Sequence, residues 1–402
     1  MRRAPSAPTI AGMREIHDAD ALAAALARGE SLADTVLWGL DLRPHAAALR
    51  ALDLSDAVLL GCLLEPDDLA HVVVNGALVF PRLPEALPYE PWRARLYAVD
   101  ELFDAFDPRE PCTYCDCVDA RIYRHFRQSG GADEPSLLEA LARRLHDHGI
   151  SEALEALLGD EVPVVAFMGG HSMLRGEPRY REVARLAGRL AARGFVIATG
   201  GGPGAMEAAN LGARFGDAAG ALDETITALA EAPSYRSERW LAAAFEVRDR
   251  FAEVFADSSR TSLGVPTFFY GHEPPNAFAT HHAKYFANCT REEGLVSLAS
   301  HGIVFAPGSA GTVQEIFQDA CQNHYGTVRG LVSPMALYDV AHWTGRLPAL
   351  PLLRALADGG GWGDRVIASD DPDEISEFLE RHGPRVADRA EWSFCAAHCA
   401  GR

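Results

Sequence analysis

The chain has 402 residues, of which 48% are hydrophobic and 23% are charged, as in an ordinary globular protein of one large or two moderate domains. No run approaches eighteen apolar residues, so the sequence predicts no membrane partner. The net charge is −19, from 37 basic and 56 acidic residues, and such a surface repels polyanions. We therefore expect no nucleic-acid partner, whereas a small phosphorylated ligand needs only a local site of positive potential.

The eight cysteines bear on the cellular compartment and on metal binding. The N-terminal segment "MRRAPSAPTIAGMREIHD" has two arginines but no apolar stretch behind them, so it is not typical of an export signal. We expect a cytoplasmic protein with free thiols. Two clusters could supply zinc ligands: Cys112, Cys115 and Cys117, and Cys395, His398 and Cys399. Because neither spacing is that of a recognised zinc module, we predict no metal site.

Residues 15 to about 130 form one compositional block. The block opens with the helix-like stretch "DADALAAALARGESLADTVLWG" and continues with short apolar stretches such as "LDLSDAVLLGCLL" and "HVVVNGALVF". Its last part is rich in proline, and the block holds no glycine loop, nucleophile arrangement or acid pair. We predict an N-terminal accessory α/β domain over residues 1–130, of unknown role.

From residue 131 the pattern changes, and we predict a second, nucleotide-binding and catalytic domain over residues 131–402. The stretch "EPSLLEALARRLHDHGISEALEALLGD" has helical spacing and predicts two helices broken at Gly149. Strands are predicted next over 162–168 and 195–199. Each leads through a glycine loop into a helix, and the first of these helices begins at Pro178.

The remaining elements continue this alternation. Helices are predicted over about 219–256 and 279–300, with a strand near "VPTFFY" between them. The strand "GIVFA", the helix "TVQEIFQDACQNHYG" and a last strand and helix in "DRVIASDDPDEISEFLERHG" follow. Continuous apolar strands that alternate with helices predict an α/β fold, a Rossmann-like doubly wound parallel sheet with helices on both faces.

Three glycine loops each follow a predicted strand and precede a helix: Gly169 and Gly170, Gly200 to Gly204, and Gly308 to Gly311. In a parallel sheet all three lie at the carboxyl edge, where such folds bind ligands. Helix N-termini at that edge present unpaired N–H groups and a partial positive charge. The loops therefore predict a phosphate site in a protein whose net charge is negative.

Other phosphate-binding and cofactor classes fit less well. Gly200-x-Gly202-x-x-Ala205 matches a dinucleotide fingerprint, but the chain about twenty residues later reads as helix and not as a strand ending in an acid. No Gly-Lys-Ser/Thr follows any loop, which argues against a P-loop ATPase. Nothing around Lys284 resembles the setting of a Schiff-base lysine for pyridoxal phosphate. We expect no organic cofactor.

The stretches "GGGPGAMEAAN" and "PGSAGTVQE" together resemble the LOG family of Rossmann-like proteins, once mislabelled lysine decarboxylases. Characterised members are phosphoribohydrolases that release a free base from a nucleoside 5′-monophosphate. The resemblance covers about residues 160–325, and it implies the same hydrolysis, no cofactor, a small-molecule nucleotide as partner and at least a homodimer. The long N-terminal block sets this chain apart from the minimal family members.

The family signature P-G-G-x-G-T-x-x-E is matched here at Pro307, Gly308, Gly311, Thr312 and Glu315, with Ser309 in place of the second glycine. The resemblance implies that Glu315 is the catalytic carboxylate. The family also carries a functional arginine, in an Arg-Lys pair, on the preceding helix. Its position falls on Glu292, so the adjacent Arg291 is our candidate and Lys284 the second choice.

The resemblance and the loops together predict a larger set of phosphate- and nucleotide-binding residues. These are Gly169, Gly170, His171, Gly200, Gly201, Gly202, Gly204, Met206, Glu207, Gly308, Ser309, Ala310, Gly311 and Thr312. Further candidates are Arg175, Arg179 and Arg181 for phosphate and Asn288 for ribose.

Two alternatives stay open at this point. Thr312-x-x-Glu315 also has the spacing of a capping box, in which the acid would only satisfy a backbone N–H group at the helix start. The same loops would equally serve a non-catalytic protein that binds or senses a nucleotide. Only an enzyme needs an acid and an arginine at one ribose, because cleavage of the N-glycosidic bond develops positive charge on the sugar.

Overall fold

The computed structural model describes residues 13–83, 87–133, 135–159, 162–271 and 273–386. Contacts divide the chain into two compact units, each built from two segments. The first unit comprises Met1–Leu96 and Arg124–Leu157, and the second comprises Tyr97–Tyr123 and Leu158–Arg402. This division differs from the predicted boundary at residue 130, because each unit contains a segment from the other side of that boundary.

The strands and helices run in chain order as follows. The strands are β1 (Arg14–Ile16), β2 (Thr35–Trp38), β3 (Val58–Leu60), β4 (Leu78–Phe80), β5 (Val164–Met168), β6 (Val196–Thr199), β7 (Ser262–Gly264), β8 (His281–His282), β9 (Ile303–Phe305), β10 (Leu331–Val332), β11 (Met335–Tyr338), β12 (Val366–Ser369) and β13 (Arg385–Val386). The helices are α1 (Ala19–Ala27), α2 (Ala46–Ala51), α3 (Pro66–Val74), α4 (Val99–Leu102), α5 (Val118–Gln128), α6 (Leu137–Leu158), α7 (Pro178–Ala192), α8 (Ala205–Phe215), α9 (Ala219–Leu229), α10 (Trp240–Arg250), α11 (Ala252–Ala256), α12 (Asn288–Leu298), α13 (Ala310–Tyr325), α14 (Ala349–Gly359) and α15 (Pro372–Arg381). Within the described ranges, no helix is both long and apolar enough to cross a bilayer.

The first unit contains a parallel sheet of four strands in the order β1-β2-β3-β4. Neighbouring parallel strands need a crossover connection, and α1, α2 and α3 lie in the three connections. The three helices and the two central strands each contribute a fully or almost fully buried apolar side chain to one core: Leu22, Leu37, Leu49, Leu59 and Val72. Burial of this core stabilises the short strands, which would not persist alone.

The helix α6 is one continuous element and does not break at Gly149, so the predicted pair of helices is wrong. A Cβ atom on Gly149 would overlap the carbonyl oxygen of Arg93. Glycine at this position therefore allows the helix to pass close to a neighbouring backbone. Glycine often ends a helix, but Gly149 lies in the interior of α6 and marks a close contact there.

The second unit contains a parallel sheet of seven strands in the order β12-β11-β9-β5-β6-β7-β8. All five residues of β5, "VVAFM", are buried, as expected for a central parallel strand covered on both sides. A separate antiparallel pair joins β10 and β13. The predicted α/β class with parallel sheets is confirmed.

The strand order of this sheet reverses at β5. From β5 the chain passes outward through β6, β7 and β8, and then returns to the other side of β5 to add β9, β11 and β12. The carboxyl ends of β5 and β9 therefore form a topological switch point, the place where open α/β sheets bind ligands. Two of the three predicted glycine loops follow these two strands, and the third follows β6.

Residues 97–123 belong to the second unit through specific bonds. The backbones of Tyr97 and His282 exchange two hydrogen bonds, of 3.0 and 2.8 Å, beside β8. Farther along the segment, the buried carboxylate of Asp119 forms an ion pair with the buried ammonium of Lys284. These contacts join residues far apart in sequence, and composition alone gives no sign of them.

Two predicted elements of the second unit differ from the structure. The strand β7 ends at Gly264, before "VPTFFY", and the predicted helix over 279–300 begins instead as β8, with α12 starting only at Asn288. The N–H groups of His282 and Ala283 donate to Tyr97 and Gly264, which are neighbours across the sheet and not residues one helical turn earlier. Pairing at the sheet edge thus overrides the local helical pattern.

Candidate functional site

The three glycine loops contact one another at the carboxyl edge of the seven-stranded sheet. The N–H group of Gly170 donates to the carbonyl of Pro307 at 3.0 Å, which joins the first and third loops. The N–H group of Ala205 donates to the carbonyl of Gly170 at 3.2 Å, which joins the second loop to the first. Gly204 has a φ of +71°, and a Cβ atom there would overlap Gly170. The loops therefore form one continuous surface.

The third loop leads directly into α13, whose first two residues are exposed. Ser309 is the N-cap residue and makes no side-chain bond to the helix, and Ser309, Ala310 and Gly311 are all exposed. A Cβ atom on Gly311 would meet nothing within 4 Å, whereas one on Gly308 would overlap the side chain of Thr312. First-turn N–H groups have no acceptor within their own helix, so this turn can receive an anion.

Glu315 is not the capping residue of this helix. Because α13 begins at Ala310 and its N-cap is Ser309, Thr312 lies inside the first turn and Glu315 lies one turn farther along. The capping-box interpretation therefore does not apply. The Glu315 side chain is only 14% exposed, and burial raises its pKa to about 7, a rise that Arg291 opposes and Glu292 supports. A carboxyl group with such a pKa can accept or release a proton near neutrality.

Arg291 lies beside this carboxylate, on the first turn of α12. Its Nη1 is 3.8 Å from Oε1 of Glu315, and its Nε donates to the carbonyl of Val265 at 2.8 Å. A Cβ atom on Gly200 would overlap Nη2 of Arg291. The guanidinium is therefore held between the chain that follows β7, the second glycine loop and the candidate catalytic acid.

Glu292 has a different environment from its neighbour Arg291. Its carboxylate accepts hydrogen bonds from Asn288 at 2.7 Å and from Gln314 at 2.9 Å, and so bridges α12 and α13. The predicted ribose contact of Asn288 would have to share the amide group that bonds Glu292. Of the two adjacent positions that the sequence resemblance left in question, 291 is the one that places a cation beside Glu315.

The other basic candidates are paired with acids. Lys284 is 3% exposed, bonds Asp119 and lies over the ring of Phe268, so it is not placed to replace Arg291. The three arginines that follow the first loop also have carboxylate partners. The pairs are Arg175 with Glu207, Arg179 with Asp339, and Arg181 with Asp223.

Glu207 does not fit its predicted role as a nucleotide-binding residue. It has no exposed surface, and its two carboxylate oxygens accept bonds from Arg175 and from the hydroxyl of Tyr180. The network holds the N-terminal part of α8 in the core. Its neighbour Met206 is different: a Cβ atom on Gly200 or Gly202 would lie 2.7 or 3.0 Å from the Met206 side chain, which therefore lines the second loop.

A second acid–base pair, which the sequence pattern did not reveal, lies at the same loops. Nδ1 of His171, in the first loop, is 3.0 Å from Oε1 of Glu273. A Cβ atom on Gly202 would lie 3.6 Å from the other oxygen of Glu273. Glu273 stands in an irregular segment after β7, and no periodicity or motif marks such a position in advance.

The cysteine clusters show no metal site in the part of the chain that the structure describes, where no group of three or more His, Cys, Asp or Glu side chains could hold an ion. Cys112 and Cys115 are exposed, and Cys117 is buried. Cys395, His398 and Cys399 lie outside the described residues.

Comparison with known proteins finds distant structural similarity. No family model and no curated protein matches the chain. The molybdenum cofactor binding protein from the phototrophic bacterium Rippkaea orientalis is similar at a TM-score of 0.34 and 17% identity, over 55% of this chain and 97% of that one. The Moco carrier protein from Chlamydomonas reinhardtii is similar at a TM-score of 0.33 and 15% identity, over 55% and 100%. At these TM-scores, neither protein's ligand is carried over to this chain.

Proposed function

We propose that this protein hydrolyses the N-glycosidic bond of a nucleoside 5′-monophosphate, giving a free base and ribose 5-phosphate. The observation that carries the proposal is the pair of Arg291 and Glu315, 3.8 Å apart against the glycine loops. Glycosidic cleavage needs an acid beside a fixed cation, and here the pKa of that acid is raised to about 7. Simple nucleotide binding does not need such an acid.

Phosphate binding is assigned to the third loop and the start of α13. Ser309, Ala310 and Gly311 offer exposed backbone at a helix N-terminus, where N–H groups and the helix dipole favour an anion. The three arginines near the first loop already have carboxylate partners, so backbone groups carry this role. Binding energy from the phosphate would then hold the ribose against Glu315.

Glu315 acts on the sugar end of the substrate. In its ionised form it takes a proton from a water molecule as the water oxygen attacks C1′, and its charge stabilises the developing oxocarbenium ion. The bond between C1′ and the base nitrogen breaks, and its electron pair leaves with the base. Arg291 keeps the carboxylate in place and favours its ionised form against the effect of burial.

The proposal extends to the wider features that the resemblance implies. The seven-stranded sheet would be a Rossmann-like nucleotide-binding domain of the LOG type, in a cytoplasmic homo-oligomer that needs no cofactor. The first unit would be an accessory domain, since its described residues hold none of the groups assigned to the reaction.

A panel of nucleoside 5′-monophosphates and the matching nucleosides, assayed for released base, tests the proposed function. We expect release from at least one nucleotide and far less from its nucleoside, since the third loop is assigned to the phosphate. Tight nucleotide binding without any release would instead establish a non-catalytic nucleotide-binding protein. Equal rates on a nucleotide and its nucleoside would contradict the assignment of the loops.

A further inference from the structure

We propose that His171 donates the proton that the departing base needs, and that Glu273 is the residue that positions it. This inference rests on the proposed hydrolysis and adds a second group to it. Glu315 serves the sugar, but it leaves the base to depart as an anion unless another group protonates it. Amide and purine-like leaving nitrogens are poor leaving groups in the anionic form, so a general acid is worth about 10²–10⁴ in rate.

Two neighbouring side chains orient the His171 ring. Nδ1 lies 3.0 Å from the Glu273 carboxylate, and the ring contacts Tyr235 edge-on with 5.8 Å between ring centres. Among the described residues, no group bonds the opposite nitrogen, Nε2. The side chain is 43% exposed, so Nε2 can reach a ligand. A carboxylate at one ring nitrogen fixes which nitrogen faces the substrate.

The position of Glu273 is set by the glycine loops themselves. Three residues farther along, Asn276 donates its backbone N–H to the carbonyl of Gly201 at 2.8 Å and its side-chain amide to the carbonyl of Gly202 at 3.1 Å. Asn276 is fully buried. The segment that carries Glu273 is therefore fastened to the second glycine loop.

Both pairs, Arg291 with Glu315 and His171 with Glu273, adjoin the second glycine loop. Gly200 lies against Arg291 and Gly202 lies near Glu273, with the Met206 side chain beside both glycines. Two residues of chain span at most about 7 Å. The Arg291 and Glu315 pair and the His171 and Glu273 pair thus adjoin glycines that are two residues apart on one loop, and the proposal places the ribose at the first pair and the base at the second.

The proposed proton transfers balance. Protonated His171 gives its Nε2 proton to a ring nitrogen of the base as the bond to C1′ breaks and the electron pair moves onto the base. Glu315 takes a proton from the attacking water, whose oxygen stays on C1′. Glu315 then releases that proton to solvent and His171 takes one up, so one water is consumed for each base released.

A substrate whose leaving group needs no proton separates this role from binding. We would compare the best nucleoside 5′-monophosphate with 4-nitrophenyl β-ribofuranoside 5-phosphate, because nitrophenolate departs readily as an anion. The variants are His171→Gln, Glu273→Gln and Glu315→Gln. His148→Gln is the matched control, since His148 is an exposed histidine 3.9 Å from a glutamate, Glu152, in the first unit.

We expect His171→Gln to lower kcat/KM for the nucleotide by about 10²–10⁴ while changing that for the nitrophenyl substrate by no more than about threefold. Glu273→Gln should show the same pattern to a smaller degree. Glu315→Gln should lower kcat/KM for both substrates, and His148→Gln should lower it for neither. Equal losses on both substrates for His171→Gln, or no loss on either, would overturn the role of His171. A wild-type protein that turns over neither substrate would instead reject the proposed hydrolysis itself, and this inference with it.

Discussion

Nη1 of Arg291 lies 3.8 Å from Oε1 of Glu315, while Nε of the same guanidinium is held by the carbonyl of Val265. The arginine is therefore fixed by the backbone and not by the Glu315 carboxylate. The carboxylate stays poised between two opposing influences, because burial raises its pKa and the guanidinium lowers it, with a value of about 7 as the result. A small change at either residue should shift the charge state of Glu315 at neutral pH.

Replacing Glu315 by glutamine should separate a catalytic acid from a structural one. The change keeps the size of the side chain and removes its charge, so we expect kcat to fall by about 10²–10³, as when one transition-state-stabilising group is lost. Nucleotide affinity should hold or rise, since the third loop and not the acid is assigned to the phosphate. The matched control is Glu293→Gln, an exposed acid on the same helix as Arg291. Normal turnover in Glu315→Gln would remove this residue from the mechanism.

The pH dependence of the reaction should report the raised pKa of Glu315. Only the ionised carboxylate can take a proton from water, so kcat/KM should rise with pH along a limb centred near pH 7. Arg291→Gln removes the charge that lowers this pKa, so the rising limb should move to higher pH. A limb that stays at the same pH in Arg291→Gln would show that another group controls it.

The sequence predicts the loops better than the residues that surround them. Clusters of glycine after apolar runs are local signals, and the three loops lie at the carboxyl ends of β5, β6 and β9 as expected. The choice between positions 291 and 292 is not local. Adjacent residues on a helix differ by about 100° in direction, so only the packing of α12 against α13 shows that 291 faces the acid.

The remaining differences have the same physical origin. Glu273 comes near His171 because buried hydrogen bonds from Asn276 hold an irregular segment against the second loop, and no pattern in "GHEPPN" encodes that contact. The strand β8 has only two residues, and backbone hydrogen bonds with neighbours on both sides hold it in the sheet. Long-range pairing of this kind overrides local propensity.

Asp319, one turn after Glu315 on α13, should make stability depend on pH. It is buried and its Oδ2 has no hydrogen-bond partner among the described residues, and burial raises its pKa to about 8. A carboxyl whose folded pKa exceeds its unfolded value stabilises the fold below the unfolded pKa, near 4, and this contribution is lost as pH rises through about 8. The melting temperature of the wild type should therefore fall between pH 5 and 9.

Asp319→Asn tests this directly, because the amide keeps an acceptor for the hydroxyl of Ser333 and cannot ionise. We expect the fall in melting temperature over that pH range to be smaller in the variant, with turnover unchanged. The exposed Glu293→Gln again serves as control. An identical pH profile for Asp319→Asn and wild type would show that Asp319 does not carry the effect.

The buried pair of Asp119 and Lys284 should hold residues 97–123 in the second unit. Removing one partner of a buried ion pair typically costs about 3–5 kcal/mol, since the other charge stays buried and uncompensated. We expect a loss of this size in Asp119→Asn and in Lys284→Met, measured by urea unfolding. The double variant should lose less than the sum, because asparagine still accepts the bond from Tyr114 and no unpaired charge remains. Strictly additive losses would contradict the pairing.

The same pair bears on truncation. A chain that starts at residue 131, at the boundary that composition suggests, lacks Asp119 and also Tyr97, whose backbone pairs with His282. We expect such a chain to be less stable than one that starts at residue 97, as judged by its unfolding midpoint.

Gly311 offers the most direct test that the start of α13 receives a ligand. Nothing in the described structure lies within 4 Å of where its Cβ atom would stand, and the residue is in the first turn of a helix. On structural grounds alone, Gly311→Ala should therefore raise stability, by about 0.5–1 kcal/mol, because alanine loses less backbone entropy than glycine in a helix.

If the phosphate rests on these first-turn N–H groups, the methyl group added at Gly311 stands in its way. We then expect the variant to bind nucleoside monophosphate at least tenfold more weakly while its melting temperature holds or rises, with calorimetric titration as the measurement. Gly294→Ala is the control, since that glycine also has open space within a helix but belongs to α12. A Gly311→Ala protein that is more stable and binds the nucleotide as tightly as wild type would mean that the phosphate lies elsewhere, and that the space over Gly311 is not part of the site.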